Sequence, residues 1–133
     1  MKIVQTFWHG NNSLLDNSFG WMNPQYHLMS WALSCSFFKR QLSNIVLYTD
    51  SHGYEIFAEQ LKLPYTDIII QYDNLTCPEP HWAYPKLLTY SLQKEPFIHV
   101  DGDVYLPNKL DNTIEMSELI AQNKEIGSSY YKV

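Results

Sequence analysis

The sequence predicts an α/β fold, a Rossmann-like and mostly parallel sheet flanked by helices, and three observations carry that expectation. Short β-rich apolar runs alternate along the chain with stretches of helical periodicity. One run, Asp67-Ile68-Ile69-Ile70, is continuously apolar, the pattern of strands in parallel sheets covered on both faces. The strands are separated by connections that read as helices, and such crossovers are right-handed and return parallel strands. The order of strands across the sheet cannot be read from these patterns.

The elements follow in order. Ile3 to Trp8 is the first strand, and the polar loop His9-Gly10-Asn11-Asn12-Ser13 after it carries turn chemistry. Asn23-Pro24 opens the first helix, with asparagine as cap and proline at the first helical position. Leu28, Trp31, Ala32, Cys35, Phe38 and Leu42 form its apolar stripe, and Ser43-Asn44 ends it. Ile45 to Thr49 is the second strand and closes on Asp50. A second helix shows Tyr54, Phe57, Ala58 and Leu61 on one face and is stopped by Pro64. The third strand, Asp67 to Ile70, gives way to a loop from Tyr72 to Pro80. A third helix covers roughly Ala83 to Gln93, with Pro85 in its first turn. Pro96 to Val100 is a fourth strand that runs into Asp101-Gly102-Asp103; Val104-Tyr105-Leu106 extends it and Pro107-Asn108 breaks it. A last helix spans Thr113 to Asn123, with Asn112 and Glu115 placed as a capping box.

Composition narrows the function. The 133 residues, 45% of them hydrophobic and 17% charged, suit a single domain over 1–133 with a sizeable core, and they argue against disorder. A net charge of -5 argues against a nucleic-acid partner, because phosphate neutralisation needs clustered Lys and Arg. The 15% aromatic share suits either a core or a site that stacks sugars and bases. Cys35 falls in an apolar stretch and Cys77 in a loop; without a CxxC or a histidine cluster at zinc spacing, they argue against a structural metal. The opening apolar run is too brief for a signal peptide, and no segment approaches about 18 consecutive apolar residues. The expectation is a cytoplasmic protein without a transmembrane segment.

Ligands of parallel α/β sheets sit at the carboxyl ends of the strands. This directs attention to Thr6, Phe7 and Trp8, to Thr49 and Asp50, and to Asp101 through Asp103. The last is the most informative. Two carboxylates one residue apart at a strand end project to the same side and repel each other, and a hard divalent cation relieves that conflict. Mg2+ or Mn2+ takes one or two carboxylates together with substrate phosphates and water. The glycine between them is expected to leave room for a diphosphate beside the backbone. The plainer alternative is a turn with two solvated aspartates, since Asp-Gly is a common turn pair.

The run Phe97-Ile98-His99-Val100-Asp101-Gly102-Asp103-Val104-Tyr105-Leu106 resembles the DxD segment of GT-A glycosyltransferases, enzymes that use nucleotide sugars. Ile3-Val4-Gln5-Thr6-Phe7-Trp8 resembles their first strand, Val46-Leu47-Tyr48-Thr49-Asp50 the end of their second, and His81-Trp82-Ala83-Tyr84-Pro85-Lys86-Leu87 the helix before the DxD strand. The likeness spans roughly residues 2 to 107 and covers the nucleotide-binding half of such enzymes. It implies that Asp103 is the more direct ligand of Mn2+ or Mg2+, with Asp101 on the ribose or a metal-bound water. It further implies that Thr6, Phe7 and Trp8 line the base pocket, that Asp50 accepts hydrogen bonds from base or ribose, and that Lys86 faces a phosphate. The implied partners are a nucleoside-diphosphate sugar, a UDP-sugar first among them, and an unidentified acceptor.

Each of these residues has a plainer role as well. Asp50 suits a helix N-cap, Lys86 an ion pair or a solvated helix face, and Phe7 a core strand. His81 and Trp82 suit a pocket wall or simple packing, and His99 is expected to be packed. GT-A enzymes continue well beyond their DxD, supplying acceptor contacts and, in inverting members, a catalytic carboxylate. Here Glu115, Glu118 and Glu125 read as solvated helix residues, so no catalytic base is named. The expectation is therefore either a part of a longer enzyme or a domain that binds a nucleotide sugar without completing transfer. Two rivals remain. One is a haloacid dehalogenase-like phosphotransferase, disfavoured by Tyr105 where Thr or Val is expected; the other is a non-catalytic module that binds carbohydrate or protein.

Overall fold

Four strands, β1 (Lys2–Thr6), β2 (Asn44–Thr49), β3 (Asp67–Ile70) and β4 (Phe97–His99), form one sheet in the order β3-β2-β1-β4, all parallel. The computed structural model describes residues 1–10, 12–78 and 81–121. The fold is thus α/β and Rossmann-like. Successive strands step outward from β1 to β3, and β4 then lies on the other side of β1. The loops that leave β1 and β4 therefore diverge, which opens a crevice at the carboxyl ends of these two strands.

Strand alternation sends one set of side chains to each face. On one face Ile3, Ile45 and Leu47 meet Phe38 and Trp31 of helix α1 (Pro24–Gln41) together with Ile56 and Phe57. On the other, Val4, Val46 and Tyr48 pack with buried Tyr72 and with Leu88 of helix α3 (Tyr84–Ser91). Asn23 caps α1 by accepting from the Tyr26 amide at 3.1 Å, as the Asn-Pro pair predicts. No helix among the described residues is long and apolar enough to cross a membrane.

Several elements differ from expectation. Phe7 and Trp8 lie beyond β1, although the Phe7 amide still donates to the Tyr48 carbonyl at 2.9 Å. The second helix is a short α-helical turn, α2 (Ser51–Tyr54), continued by a π-helical turn over Glu55–Gln60. The wider turn buries Ile56 and Phe57 and leaves Leu61 exposed, and it ends where Lys62 adopts a φ of 50° rather than at Pro64. β3 is an edge strand and only half covered, so its apolar run reflects a parallel strand without full burial on both faces.

Val104 to Leu106 do not extend β4. They turn back against α1, where Ser34 Oγ donates to the Val104 carbonyl at 2.6 Å and Gln41 Nε2 to the Leu106 carbonyl at 2.5 Å. The last helix is the single turn α4 (Asn112–Glu115), capped by Asp111, whose Oδ1 accepts from the Thr113 amide at 2.8 Å. Asp111 supplies that cap where a box of Asn112 and Glu115 was expected. Glu118 is exposed, while Asn123 and Glu125 fall outside the described residues.

Candidate functional site at the carboxyl ends of β1 and β4

The crevice beside β1 and β4 is a cleft of about 440 Å³. Thr6, Phe7, Trp8 and His9 reach it from the end of β1, and Asp101, Gly102 and Asp103 from the end of β4. Lys86, Pro85 and Trp82 enter from α3 and the turn before it, and Phe19, His27, Ser30 and Trp31 from α1 and the loop ahead of it. Six of the seven residues that the sequence singled out thus share one cleft. Asp50 is the exception.

Asp101 is half exposed and both its carboxylate oxygens face Lys86, with Nζ at 2.7 Å from Oδ1 and 2.9 Å from Oδ2. Of the alternatives open for Lys86, an acidic neighbour is the one realised. The ammonium also lies 4.9 Å from the Trp82 ring centroid, a cation–π contact that fixes Trp82 as a wall of the cleft. Asp103 is exposed, and among the described residues no lysine, arginine or histidine is paired with it.

His99 is packed, as its depth in the strand predicts. Its Nε2 lies 3.1 Å from Thr6 Oγ1, and its ring meets Tyr90 edge-on at 4.9 Å. Burial pushes its pKa down to about 4, against the pull of nearby Asp101 and with the help of Lys86. Thr6 Oγ1 continues to Thr89 Oγ1 at 2.7 Å, and Thr89 to the buried Tyr72 hydroxyl. A chain of hydroxyls therefore runs beneath the cleft from Tyr72 to His99.

The main chain of the Asp-Gly-Asp segment is held from behind. Gln5, wholly buried, donates from Nε2 to the Asp101 carbonyl at 3.2 Å and to Ser34 Oγ at 3.0 Å, and its Oε1 accepts from Tyr65 at 2.7 Å. Ser30 Oγ donates to the Gly102 carbonyl at 2.8 Å. Gly102 itself does not leave space for a ligand. A β-carbon there would collide with the indole of Trp31, 2.6 Å from Cζ2 and nearer still to Cε2 and Cδ2. The glycine serves close packing of a tryptophan, which corrects the expectation that it admits a diphosphate.

His27 is buried on the same side, stacked on Phe19 at 4.6 Å, and its Nε2 accepts from Trp31 Nε1 at 3.0 Å. That bond puts the proton on Nδ1, which has no partner among the described residues. Burial lowers the His27 pKa to about 4, opposed by the charge of Asp103. His27, Ser30 and Ser34 were not recognisable as site residues from an apolar stripe. The signal was nonetheless present: they share the helical spacing of Trp31, Cys35 and Phe38, polar residues on a buried face.

Asp50 is 1% exposed and lies behind the cleft. Its Oδ1 accepts from the Gly53 amide at 2.7 Å, the N-cap of α2, while Oδ2 accepts from the His9 amide at 2.8 Å and lies 2.7 Å from His9 Nδ1. Its carboxylate is engaged by the chain itself, and it reaches the cleft through His9.

Among the described residues no three His, Cys, Asp or Glu side chains converge, so an all-protein cage is not what they build. Asp101, paired with Lys86, and exposed Asp103 both line the cleft, and a cation held there would take most of its ligands from phosphate and water. Asp103 would hold it, with Asp101 positioned by Lys86.

No curated protein and no solved structure matches the chain. A family model does match, across residues 1–133, and the chain belongs to that family, DUF6734, a family of unknown function.

Proposed function

We propose that the cleft binds a nucleoside-diphosphate sugar together with Mn2+ or Mg2+, and that the protein is a metal-dependent glycosyltransferase or the donor-binding domain of one. What supports the reading is a single convergence. The end of β1, the lysine of α3 and the Asp-Gly-Asp segment line one cleft at the reversal of strand order, where α/β sheets bind nucleotides.

Charge explains why a cation belongs to this reading. Lys86 offsets Asp101, and exposed Asp103 then leaves an uncompensated carboxylate on the lining of the cleft, so a diphosphate would be repelled unless a cation came with it. Bound there, the metal would stabilise the departing diphosphate as a Lewis acid. The chain's own groups do the rest. Asp103 holds the cation side, Lys86 orients Asp101 and adds positive charge near the phosphates, and Trp8 and Trp82 offer aromatic surface to base and sugar, whereas Phe7 is a buried core residue.

The test is calorimetric titration of UDP-, GDP- and CDP-sugars with and without Mn2+. Metal-dependent binding of at least one donor is expected, with the metal dependence abolished in Asp103→Ala. Absence of binding by every donor in the presence of Mn2+ would refute the reading.

A further inference from the structure

The geometry points to His9 as the general base of the cleft, the group that takes the proton from the acceptor hydroxyl, with Asp50 as its positioning residue; this rests on the donor-cleft reading above. Asp50 Oδ2 lies 2.7 Å from His9 Nδ1 and also accepts from the His9 amide at 2.8 Å. A carboxylate on Nδ1 keeps the proton there and leaves Nε2 with a lone pair. It also stabilises the imidazolium that forms when Nε2 takes a proton, the logic of a histidine oriented by a buried aspartate.

The ring is fixed from more than one side. Asp50 is held by the Gly53 amide at 2.7 Å, so it cannot swing away from His9 without uncapping α2. His52 meets the His9 ring edge-on with centroids 5.2 Å apart, and its own Nε2 accepts from the Leu14 amide at 3.1 Å. His9 in turn is about one-third exposed and lines the cleft beside Thr6–Trp8 and the Asp-Gly-Asp segment.

The other titratable groups of the cleft are committed elsewhere. Asp101 faces Lys86 with both oxygens, and His27 Nε2 accepts from Trp31. The Cys77 thiol donates to the His81 carbonyl at 3.2 Å, and Asp103 is the cation's carboxylate. Among the described residues that line the cleft, His9 Nε2 is the remaining titratable acceptor.

The step balances as a single displacement. The acceptor O–H proton passes to Nε2, and the acceptor oxygen's electron pair forms the bond to the anomeric carbon. The bond from that carbon to the diphosphate oxygen breaks, and its pair leaves with the nucleoside diphosphate. The imidazolium then returns its proton to solvent, and the anomeric configuration is inverted.

The experiment uses the whole chain with Mn2+ and UDP-glucose, UDP-galactose and GDP-mannose, water serving as acceptor. Wild type is expected to bind at least one donor and release nucleoside diphosphate. His9→Gln is expected to bind it within about twofold and release it about a hundredfold to ten-thousandfold more slowly. Long-range 1H–15N spectra of the ligand-free protein should place the His9 proton on Nδ1, a preference weakened in Asp50→Asn. Equal release by wild type and His9→Gln, binding without release from any of the three donors, or a proton on Nε2 would overturn the assignment of His9 alone. Failure of wild type to bind any of them would instead overturn the donor reading, and the base with it.

Discussion

The indole of Trp31 occupies the space that a β-carbon on Gly102 would need. Gly102 is buried and does not have a positive φ, so the demand for glycine is steric and comes from a neighbour distant in sequence. Trp31 is held in turn by its bond to His27 and by an aromatic cluster with Phe7 and Phe57, at 5.6 and 5.2 Å. The ring therefore has little freedom to retreat. Gly102→Ala should cost about 1–3 kcal/mol by overpacking. Exposed Asp103→Ala should stay within about 0.5 kcal/mol. Urea unfolding midpoints of the two variants check this, and equal midpoints would mean that the indole does not press on Gly102.

Gly102 also marks where sequence reasoning stops. The strands, the caps at Asn23 and Asp50 and the helix around Lys86 are local patterns, carried by alternation, capping chemistry and proline placement. The order β3-β2-β1-β4 is not local, because each parallel pairing is made across a crossover. Thr6 and Asp101 were legible through the rule that sites gather at strand ends, and Lys86 only through the resemblance of its helix to the one before a DxD strand. The clamps on the Asp-Gly-Asp backbone were not legible at all: Gln5, Ser30 and Ser34 look like stray polar residues until the residues they bond, as far as 96 positions away, are brought to them. Val104 to Leu106 misled for the same reason, since these carbonyls are claimed by α1 rather than by a neighbouring strand.

Lys86 holds Asp101 while both remain partly open to solvent, with side chains 23% and 46% exposed. Such a pair adds little stability, so Lys86→Met should shift the unfolding free energy by no more than about 1 kcal/mol. Its effect on ligands should be larger and of opposite sign for two probes. Affinity for Mn2+ alone should rise, because two carboxylates then lack a counter-charge. Affinity for a nucleoside diphosphate in saturating Mn2+ should fall, because a cationic contact is gone. Paired calorimetric titrations read both changes, and Mn2+ binding that fails to strengthen would show that Asp101 and Asp103 do not share a cation.

Asp50 satisfies three donors from inside the fold, the amides of Gly53 and His9 and the His9 ring. Asp50→Ala removes a helix cap and leaves buried N–H groups unpaired, an expected loss of about 2–4 kcal/mol. Asp50→Asn can still cap Gly53 through its amide oxygen, but it then turns an NH2 group toward the two His9 donors. The expected order of stability is wild type, then Asn, then Ala, read from chemical unfolding at neutral pH. An Asn variant as stable as wild type would argue against the His9 contacts.

Two packed histidines, His27 in the cleft lining and His99 beneath it, make stability depend on pH in a defined window. His27 and His99 both have pKa values pushed down to about 4 by burial, from an ordinary value near 6.5. Between these limits the unfolded chain binds protons that the folded chain refuses, so stability is complete above about pH 6.5 and falls as pH drops toward 4. Each histidine contributes a slope of up to about 1.4 kcal/mol per pH unit within that window. The carboxylates of Asp73 and Asp111 are lowered by hydrogen bonds from Ser51 and Thr113, so their contribution is lost below the histidine window, at about pH 4 and under. Urea unfolding at a series of pH values should therefore show a steep decline between 6.5 and 4 in wild type. His27→Gln and His99→Gln should each flatten it, and the double variant should flatten it most. His99 sits beside Asp101 and Lys86, so its share should also change in Lys86→Met: with the ammonium gone, protonated His99 is favoured, its folded pKa rises, and its part of the slope shrinks. A wild-type profile that stays level across this window would show that neither histidine is held neutral by the fold.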